Sequence, residues 1–186
     1  MTFKLLSKAA LALAAMGLCL SAASAAYKSE YKLSVVPGAS SGWGQTATFF
    51  ADCVRQKSNG RINIKPYFGA QLMAGKQTSE LLLVRRGAID FALASTINWS
   101  PQIKELNLTA LPFFVANNPD RYKAIDAIEA GKSGKMLEKA IEKTGVKFLG
   151  WSENGFRELT TSKGPIEKPE DMKGMKLRVC GTPIFI

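Results

Sequence analysis

The sequence contains no histidine. Histidine is the usual proton-transfer partner of catalytic serine and cysteine and a common zinc ligand, so its absence excludes Ser-His and Cys-His nucleophile pairs and His-ligated zinc sites. A two-carboxylate or Ser-Lys enzyme stays open, but no paired-carboxylate or Ser-x-x-Lys motif stands in a suggestive setting. We therefore expect a protein that is not an enzyme and that uses no cofactor and no metal.

Cysteine is scarce, with three residues in a chain of 186. Cys19 lies in an N-terminal apolar segment, which leaves Cys53 and Cys180 as the remaining pair. A disulfide requires Cα atoms about 4.4–6.8 Å apart, and the sequence leaves open whether these two cysteines approach that closely. Cys53 falls on the apolar face of a predicted helix, which favours the role of a small core residue.

Long apolar runs are absent except at the N-terminus. There Lys4 and Lys8 precede the uncharged apolar run Ala9–Leu20, and Ala23–Ala25 offers a small-x-small cleavage site. The apolar run is too short to span a bilayer as a helix. We therefore predict a cleavable signal peptide over residues 1–25 and export to the periplasm.

Basic residues outnumber acidic ones, 25 to 15, and the formal net charge is +10. A strongly basic surface can attract nucleic acid or an anionic membrane. Here the basic residues are spread along the chain, with no Arg/Lys cluster interleaved with stacking aromatic residues. We therefore expect no nucleic-acid partner, and the charge is compatible with an anionic small ligand.

The region after the signal peptide alternates strand-like and helix-like patterns. A strand at Tyr31–Val36, a helix from about Trp43 to Ser58 and a strand from Ile62 predict one β-α-β unit. Such alternation predicts an α/β fold, a mostly parallel sheet with helices on both faces. The further predicted elements are helices at Thr78–Arg86, about Asp120–Glu129, Ser133–Lys143 and one turn from Pro169, and strands or extended segments at Ile89–Ala94, from after Pro101 to Leu111–Phe114, and at Val146–Trp151, Phe156–Thr161 and Met175–Val179.

Ligands of parallel α/β sheets bind beyond the carboxyl ends of the strands. Three predicted loops occupy that position: Pro37–Gly44, Tyr67–Met73 and Ser95–Trp99. In these loops an indole can stack on a carbon skeleton, and amide or hydroxyl groups can hydrogen-bond a ligand. The candidate binding residues are Trp43, Gln71, Ser95, Thr96 and Asn98.

Each of these candidates also has a structural interpretation. Trp43 opens the apolar stripe of its helix, so core packing is an equal alternative to ligand contact. The polar candidates are residue types that commonly cap helices or form turns. Trp99, which precedes Ser100, is compatible with either a lid or a core position.

Two arginines near the end of the chain are the candidates for anion recognition. Alternation places Met175, Leu177 and Val179 on one face of a predicted strand and Arg178 on the other. A guanidinium can hold a carboxylate through two parallel hydrogen bonds, which a lysine cannot reproduce. Arg157 lies in a turn upstream. The alternative for Arg178 is a solvated residue, or a salt bridge to Glu158 or Glu170.

The segment that holds both arginines resembles the signature of the substrate-binding subunit of tripartite ATP-independent periplasmic (TRAP) transporters, the DctP family. The matching positions are Gly155-Phe156-Arg157, Leu159-Thr160, Ser162-Lys163, Pro165-Ile166, Pro169-Glu170-Asp171 and Lys173–Val179. Cys180 departs from the pattern, since the family usually has proline there. The resemblance implies that Arg178 forms a salt bridge with the carboxylate of an organic acid and that Arg157 is a second basic group near the same pocket.

A weaker resemblance runs through Lys57–Ile62, Gln71-Leu72, Gly87–Asp90 and Leu111–Phe113. It implies a periplasmic-binding-protein-like, hinge-closing binder. Such a protein captures a small organic acid, possibly a four-carbon dicarboxylate, and delivers it to TRAP membrane permease subunits, with only peripheral contact with the membrane protein.

The resemblance also bears on the extent of the chain. Family members continue beyond the position of Arg178 into a hinge and a second lobe. We therefore expect residues 26–186 to form the N-terminal lobe and first crossover segment, with the second lobe largely missing and apolar surface exposed. A periplasmic ligand sensor or adaptor, or a non-functional truncated fragment, are the alternatives.

Overall fold

The computed structural model describes residues 27–115, 117–155 and 158–185. The predicted signal peptide over residues 1–25 and the candidate Arg157 lie outside the described residues. No helix in the described ranges combines the length and the apolar character needed to cross a membrane.

A three-stranded parallel sheet organises the described residues, with strand order β2-β1-β3. The strands are β1 (Tyr31–Val35), β2 (Ile64–Tyr67) and β3 (Phe91–Leu93). The central strand β1 pairs in parallel with both neighbours, and Leu33 is in register with Pro66 of β2 and Phe91 of β3. Pro66 is tolerated because β2 is an edge strand, where a missing N–H interrupts no ladder on the outer side.

Helices connect and flank these strands. They are α1 (Gly42–Lys57), α2 (Glu80–Arg85), α3 (Thr96–Trp99), α4 (Arg121–Ala130) and α5 (Lys132–Glu142), with 3-10 turns at Gln71–Met73, Gln77–Ser79, Lys104–Ala110, Pro169–Met172 and Pro183–Phe185. The predicted α/β alternation is confirmed: β1, α1 and β2 form the expected β-α-β unit.

Local capping explains where two of these elements begin. The Ser41 hydroxyl accepts a hydrogen bond from the Gly44 amide at 3.0 Å and starts α1. A Cβ at Gly44 would collide with the Ala39 carbonyl oxygen, so this tight entry into the helix requires glycine. The turn that begins at Pro169 is held by Asp171, whose Oδ2 accepts from the preceding amides of residues 167 and 168 at 3.0 and 3.1 Å.

The two faces of β1 serve different environments. Leu33 and Val35 pack with Ala47 and Ala51 of α1 and with Ile64 of β2. Because side chains alternate along a strand, Ser34 points to the opposite face, where its hydroxyl contacts Glu80 of α2. A second core joins α2, α3 and α5 through the buried residues Leu81, Trp99, Ile103, Leu106, Leu137, Ala140 and Ile141.

Three of the predicted strands or extended segments are wrong. Residues 146–151 and 175–179 contain no strand. The segment predicted as extended from after Pro101 to Phe114 forms the 3-10 helix Lys104–Ala110 and then a turn. Alternating apolar residues favour an extended chain, but a strand exists only where a neighbouring strand takes up its N–H and C=O groups. Of the predicted extended segment 156–161, residues 156 and 157 lie outside the described residues and 158–161 form no strand.

The structure decides two alternatives that the sequence left open. Trp99 is a core residue, with 8% of its surface exposed. Cys53 and Cys180 are both free thiols and both partly buried.

Leu81 and Leu82, neighbours on α2, provide a test of the second core. Leu81 is fully buried, whereas Leu82 is 37% exposed. We expect Leu81→Ala to lower the free energy of unfolding by about 2–5 kcal/mol, because it removes buried methyl groups and leaves a cavity. Leu82→Ala is the matched control and should cost less than about 1 kcal/mol. Equal losses for the two variants in urea denaturation would contradict this packing.

Candidate ligand-binding cleft

A cleft of about 840 Å³ opens beside the carboxyl ends of β1 and β3. This volume lies within the usual range for small-molecule sites. Ligands of parallel α/β sheets bind beyond the carboxyl ends of the strands, and residues that follow β1 and β3 line this cleft. Its walls include Trp43, Ser95, Thr96, Ile97, Thr109, Leu111, Phe114, Ile128, Glu129, Trp151, Gly155 and Glu158.

Thr96 presents a hydrogen-bond acceptor to this cleft. Its Oγ1 lies 2.8 Å from Thr109 Oγ1, and the Thr109 hydroxyl donates to the Leu106 carbonyl at 3.1 Å. A hydroxyl has one hydrogen to donate. Thr109 therefore accepts from Thr96, and the Thr96 oxygen keeps a lone pair for a donor on a ligand.

Five sequence candidates fall into two groups. Trp43, Ser95 and Thr96 meet on the wall of the cleft. Trp43 also packs against the β1 core, which confirms its structural interpretation, and its contact with a ligand stays a prediction. Gln71 is exposed and Asn98 is buried, and neither lines the cleft.

The two candidate arginines occupy different situations. Arg157 lies outside the described residues, but Gly155, two positions before it, and Glu158, directly after it, both line the cleft. Arg178 is exposed, lies in no strand and does not line the cleft. Within the described ranges it forms no ion pair with Glu158, nor with Glu170. Its proposed contact with a ligand stays a prediction.

The cleft wall is acidic on the side of α4. Glu129, Glu153 and Glu158 all line it. Burial, together with the nearby charges of Asp126 and Glu153, raises the pKa of Glu129 above its ordinary value. Carboxylates that already repel one another disfavour a further anion, so an acid that binds here needs a cation from the protein.

Trp151 adds an unpaired donor to the same wall. Its indole Nε1 is buried and has no hydrogen-bond partner in the part of the chain that the structure describes. A buried donor without a partner costs about 1–3 kcal/mol, so a ligand oxygen that reached it would be favoured. The sequence analysis missed Trp151, Thr109 and Glu129, because their segments were interpreted as strand, extended chain and ordinary helix surface.

Behind α3 lies a buried carboxyl group that the sequence analysis also missed. Glu80 has no exposed surface. Its Oε1 accepts from the Ser34 hydroxyl at 2.6 Å and its Oε2 accepts from the Trp99 indole at 3.0 Å. Burial raises the pKa of Glu80 to about 7, although the two hydrogen bonds act in the opposite direction. No sequence pattern distinguishes this glutamate from a solvated one at the start of a helix.

The sequence and the fold of this chain are both similar to those of bacterial solute-binding proteins. The sequence model described as bacterial extracellular solute-binding protein, family 7 (DctP), matches residues 33–186. A TRAP periplasmic solute-binding protein from Ralstonia eutropha H16, solved with bound (S)-2-acetolactate, superimposes with a TM-score of 0.79 at 55% identity, over 86% of this chain and 49% of that chain. One from Sulfitobacter, with bound β-D-galacturonate, gives 0.73 at 28% identity, over 84% and 50%.

A curated relative is also a periplasmic binding protein, like the solved structures. The 2,3-diketo-L-gulonate-binding periplasmic protein of Escherichia coli K12 is 30% identical over 74% of this chain and 40% of its own length. The chain thus spans about half the length of the relatives that it matches.

Glu80 gives a stability prediction with a definite sign. Its pKa of about 7 in the fold exceeds the ordinary value of 4.5, so the folded chain holds this proton over a pH range where the unfolded chain has lost it. Stability should therefore fall as pH rises from about 4.5 through 7, by about 3 kcal/mol from this group alone.

Urea denaturation between pH 5 and 8 measures this effect. Glu80→Gln should flatten the decline, because an amide does not titrate. Glu105→Gln, at an exposed glutamate, is the control and should leave the profile unchanged. Parallel profiles for the parent chain and Glu80→Gln would contradict the assignment.

Proposed function

Because the chain belongs to the DctP family of bacterial extracellular solute-binding proteins, we propose that it captures an organic acid anion in the periplasm and delivers it to a TRAP permease. The family match over residues 33–186 carries this proposal. A cleft of ligand size beside the carboxyl ends of the strands supports it. Export would follow from cleavage of the N-terminal segment after Ala25, and the chain would perform no chemistry on its ligand.

The ligand class follows from what related proteins hold. The ligands of the Ralstonia and Sulfitobacter proteins share a carboxylate. The cleft in this chain combines apolar walls from Trp43, Ile97 and Leu111 with the hydroxyls of Thr96 and Thr109. Apolar walls favour methyl groups, whereas a sugar acid needs a polar partner for each hydroxyl. We therefore propose a short branched hydroxy- or oxo-monocarboxylate.

Two arginines are proposed to balance the charge of that carboxylate. The wall residues Glu129, Glu153 and Glu158 would otherwise repel it. Arg157 stands in sequence between two residues that line the cleft. Arg178, exposed here, would reach the ligand when a two-lobed protein closes on it, and closure would strengthen the ion pair by excluding water.

The domain organisation is also a proposal. The relatives are about twice as long as this chain. We propose that residues 26–186 correspond to the N-terminal lobe and first crossover segment of the two-lobed binder, after a signal peptide over residues 1–25. The exposed apolar side chains of Leu111, Phe113, Leu149 and Leu177 fit a surface that a second lobe would cover.

A thermal-shift panel tests the ligand class. We expect (S)-2-acetolactate to raise the melting temperature more than D-galacturonate does at equal concentration. At a ligand concentration of 100 times the dissociation constant, binding adds about 2.7 kcal/mol of stability. No shift with any carboxylate would contradict the proposed function, and a larger shift with galacturonate would contradict only the choice of ligand.

Arginine variants test the proposed ion pairs. We expect Arg157→Ala and Arg178→Ala each to weaken binding of (S)-2-acetolactate by about 100-fold or more, since removing one partner of a buried ion pair costs about 3–5 kcal/mol. Arg178→Lys should also bind poorly, because the charge remains but the planar fork is lost. Lys176→Ala, two residues away, is the matched control. Because Arg178 is proposed to reach the ligand only when two lobes close, its variants are titrated in a protein that carries both lobes. Isothermal titration in which Arg178→Ala binds as tightly as that two-lobed parent would refute its role.

A further inference from the structure

Glu80 joins three elements of the fold through its two carboxyl oxygens. One oxygen accepts from Ser34 on the central strand β1, at 2.6 Å, and the other accepts from Trp99 at the end of α3, at 3.0 Å. The glutamate itself stands at the start of α2 and is fully buried. In the described ranges no charged side chain contributes to its environment, so these two hydrogen bonds are its principal polar contacts.

The front of α3 forms part of the cleft wall. Thr96 and Ile97 line the cleft, whereas Trp99 does not and is buried in the second core. Because α3 is a single turn, its back and front cannot move independently. A contact that fixes Trp99 therefore fixes the position of Thr96.

Other contacts, one from α3 and one from the residues just after it, reach the same segment. Asn98 Nδ2 donates to Gln77 Oε1 at 3.1 Å, and Gln102 Nε2 donates to the Thr78 carbonyl at 2.6 Å. Both acceptors lie in the turn that precedes Glu80. Of these side-chain contacts only that of Glu80 also reaches β1, so it adds a tie between the cleft wall and the central strand to the one that β3 provides through the chain.

We propose that Glu80 is a positioning residue for the cleft: it ties α3 to β1 and so holds Ser95, Thr96 and Ile97 in their ligand-facing arrangement. This inference rests on the proposed function for its effect on binding, but not for its effect on the position of the loop. It also explains why a carboxyl group occupies a core position where an apolar side chain of similar size would fit.

The chemistry of the two donors defines a discriminating pair of variants. An indole N–H can only donate, whereas a serine hydroxyl can donate or accept. In Glu80→Gln the amide oxygen can accept from Trp99 while the amide nitrogen donates to Ser34, so both contacts survive. Glu80→Met keeps a similar length but accepts from neither donor. A role in positioning predicts that glutamine preserves what methionine loses.

Nuclear magnetic resonance of the ¹⁵N-labelled full chain without ligand tests the positioning itself. We expect the amide resonances of Ser95–Ile97 to stay near their parent positions in Glu80→Gln and to shift in Glu80→Met. Trp99→Phe removes the donor instead of the acceptor and should move the same resonances, so it decides the matter if Glu80→Met fails to fold. Unmoved Ser95–Ile97 resonances in Glu80→Met, or in Trp99→Phe where the former does not fold, would overturn the proposal.

Isothermal titration with (S)-2-acetolactate then tests the consequence for binding. We expect Glu80→Met to weaken affinity by about tenfold, the effect of losing one hydrogen bond to a buried group, and Glu80→Gln to retain most of the affinity that methionine loses. Suppose that the parent chain binds no acid, while the Ser95–Ile97 resonances of the variants still shift as expected. That result would count against the proposed function and leave the positioning role supported. A parent chain that binds, with Glu80→Met equal to it in affinity and in loop resonances, would overturn the positioning role alone.

Discussion

Parallel pairing of β1 with strands on both sides is the constraint on which the rest of the structure depends. Parallel neighbours end at the same edge, so the loops that follow β1 and β3 are brought together although they are far apart in sequence. The first loop leads into α1 with Trp43, and the second leads into α3 with Thr96. The cleft wall is thus a direct product of the strand order.

The central strand also divides the core into an apolar and a polar side. Leu33 and Val35 face α1, and Ser34 faces Glu80. Burial of a carboxyl group is unfavourable, and two hydrogen bonds offset only part of that cost. The fold keeps this arrangement directly behind the loop that lines the cleft, which is the kind of position where stability is given up for a fixed geometry.

The cleft and the family signature occupy different parts of the chain. The clearest matches to the DctP family lie in residues 155–179, where the described residues form one 3-10 turn and no strand. Most residues that line the cleft instead come from α1, α3, α4 and α5 and from residues 109–115 and 151–155. The signature segment reaches the cleft at Gly155 and Glu158. Both residues line the cleft, and Arg157 lies between them in sequence.

The sequence by itself determined the α/β alternation, the β-α-β unit, the start of α1 to within about one residue of Trp43 and the turn at Pro169–Met172, and its signature predicted the family that the sequence model shows. These features depend on apolar periodicity and on hydrogen bonds that close within a few residues. The tertiary structure alone decided that Trp99 is core, that Gln71 and Asn98 lie off the cleft wall, that residues 146–151 and 175–179 form no strand, and that Glu80 is buried. Each of those outcomes depends on contacts with residues distant in sequence, such as the hydrogen bond between Ser34 and Glu80. A local sequence pattern does not specify which distant residue will make such a contact.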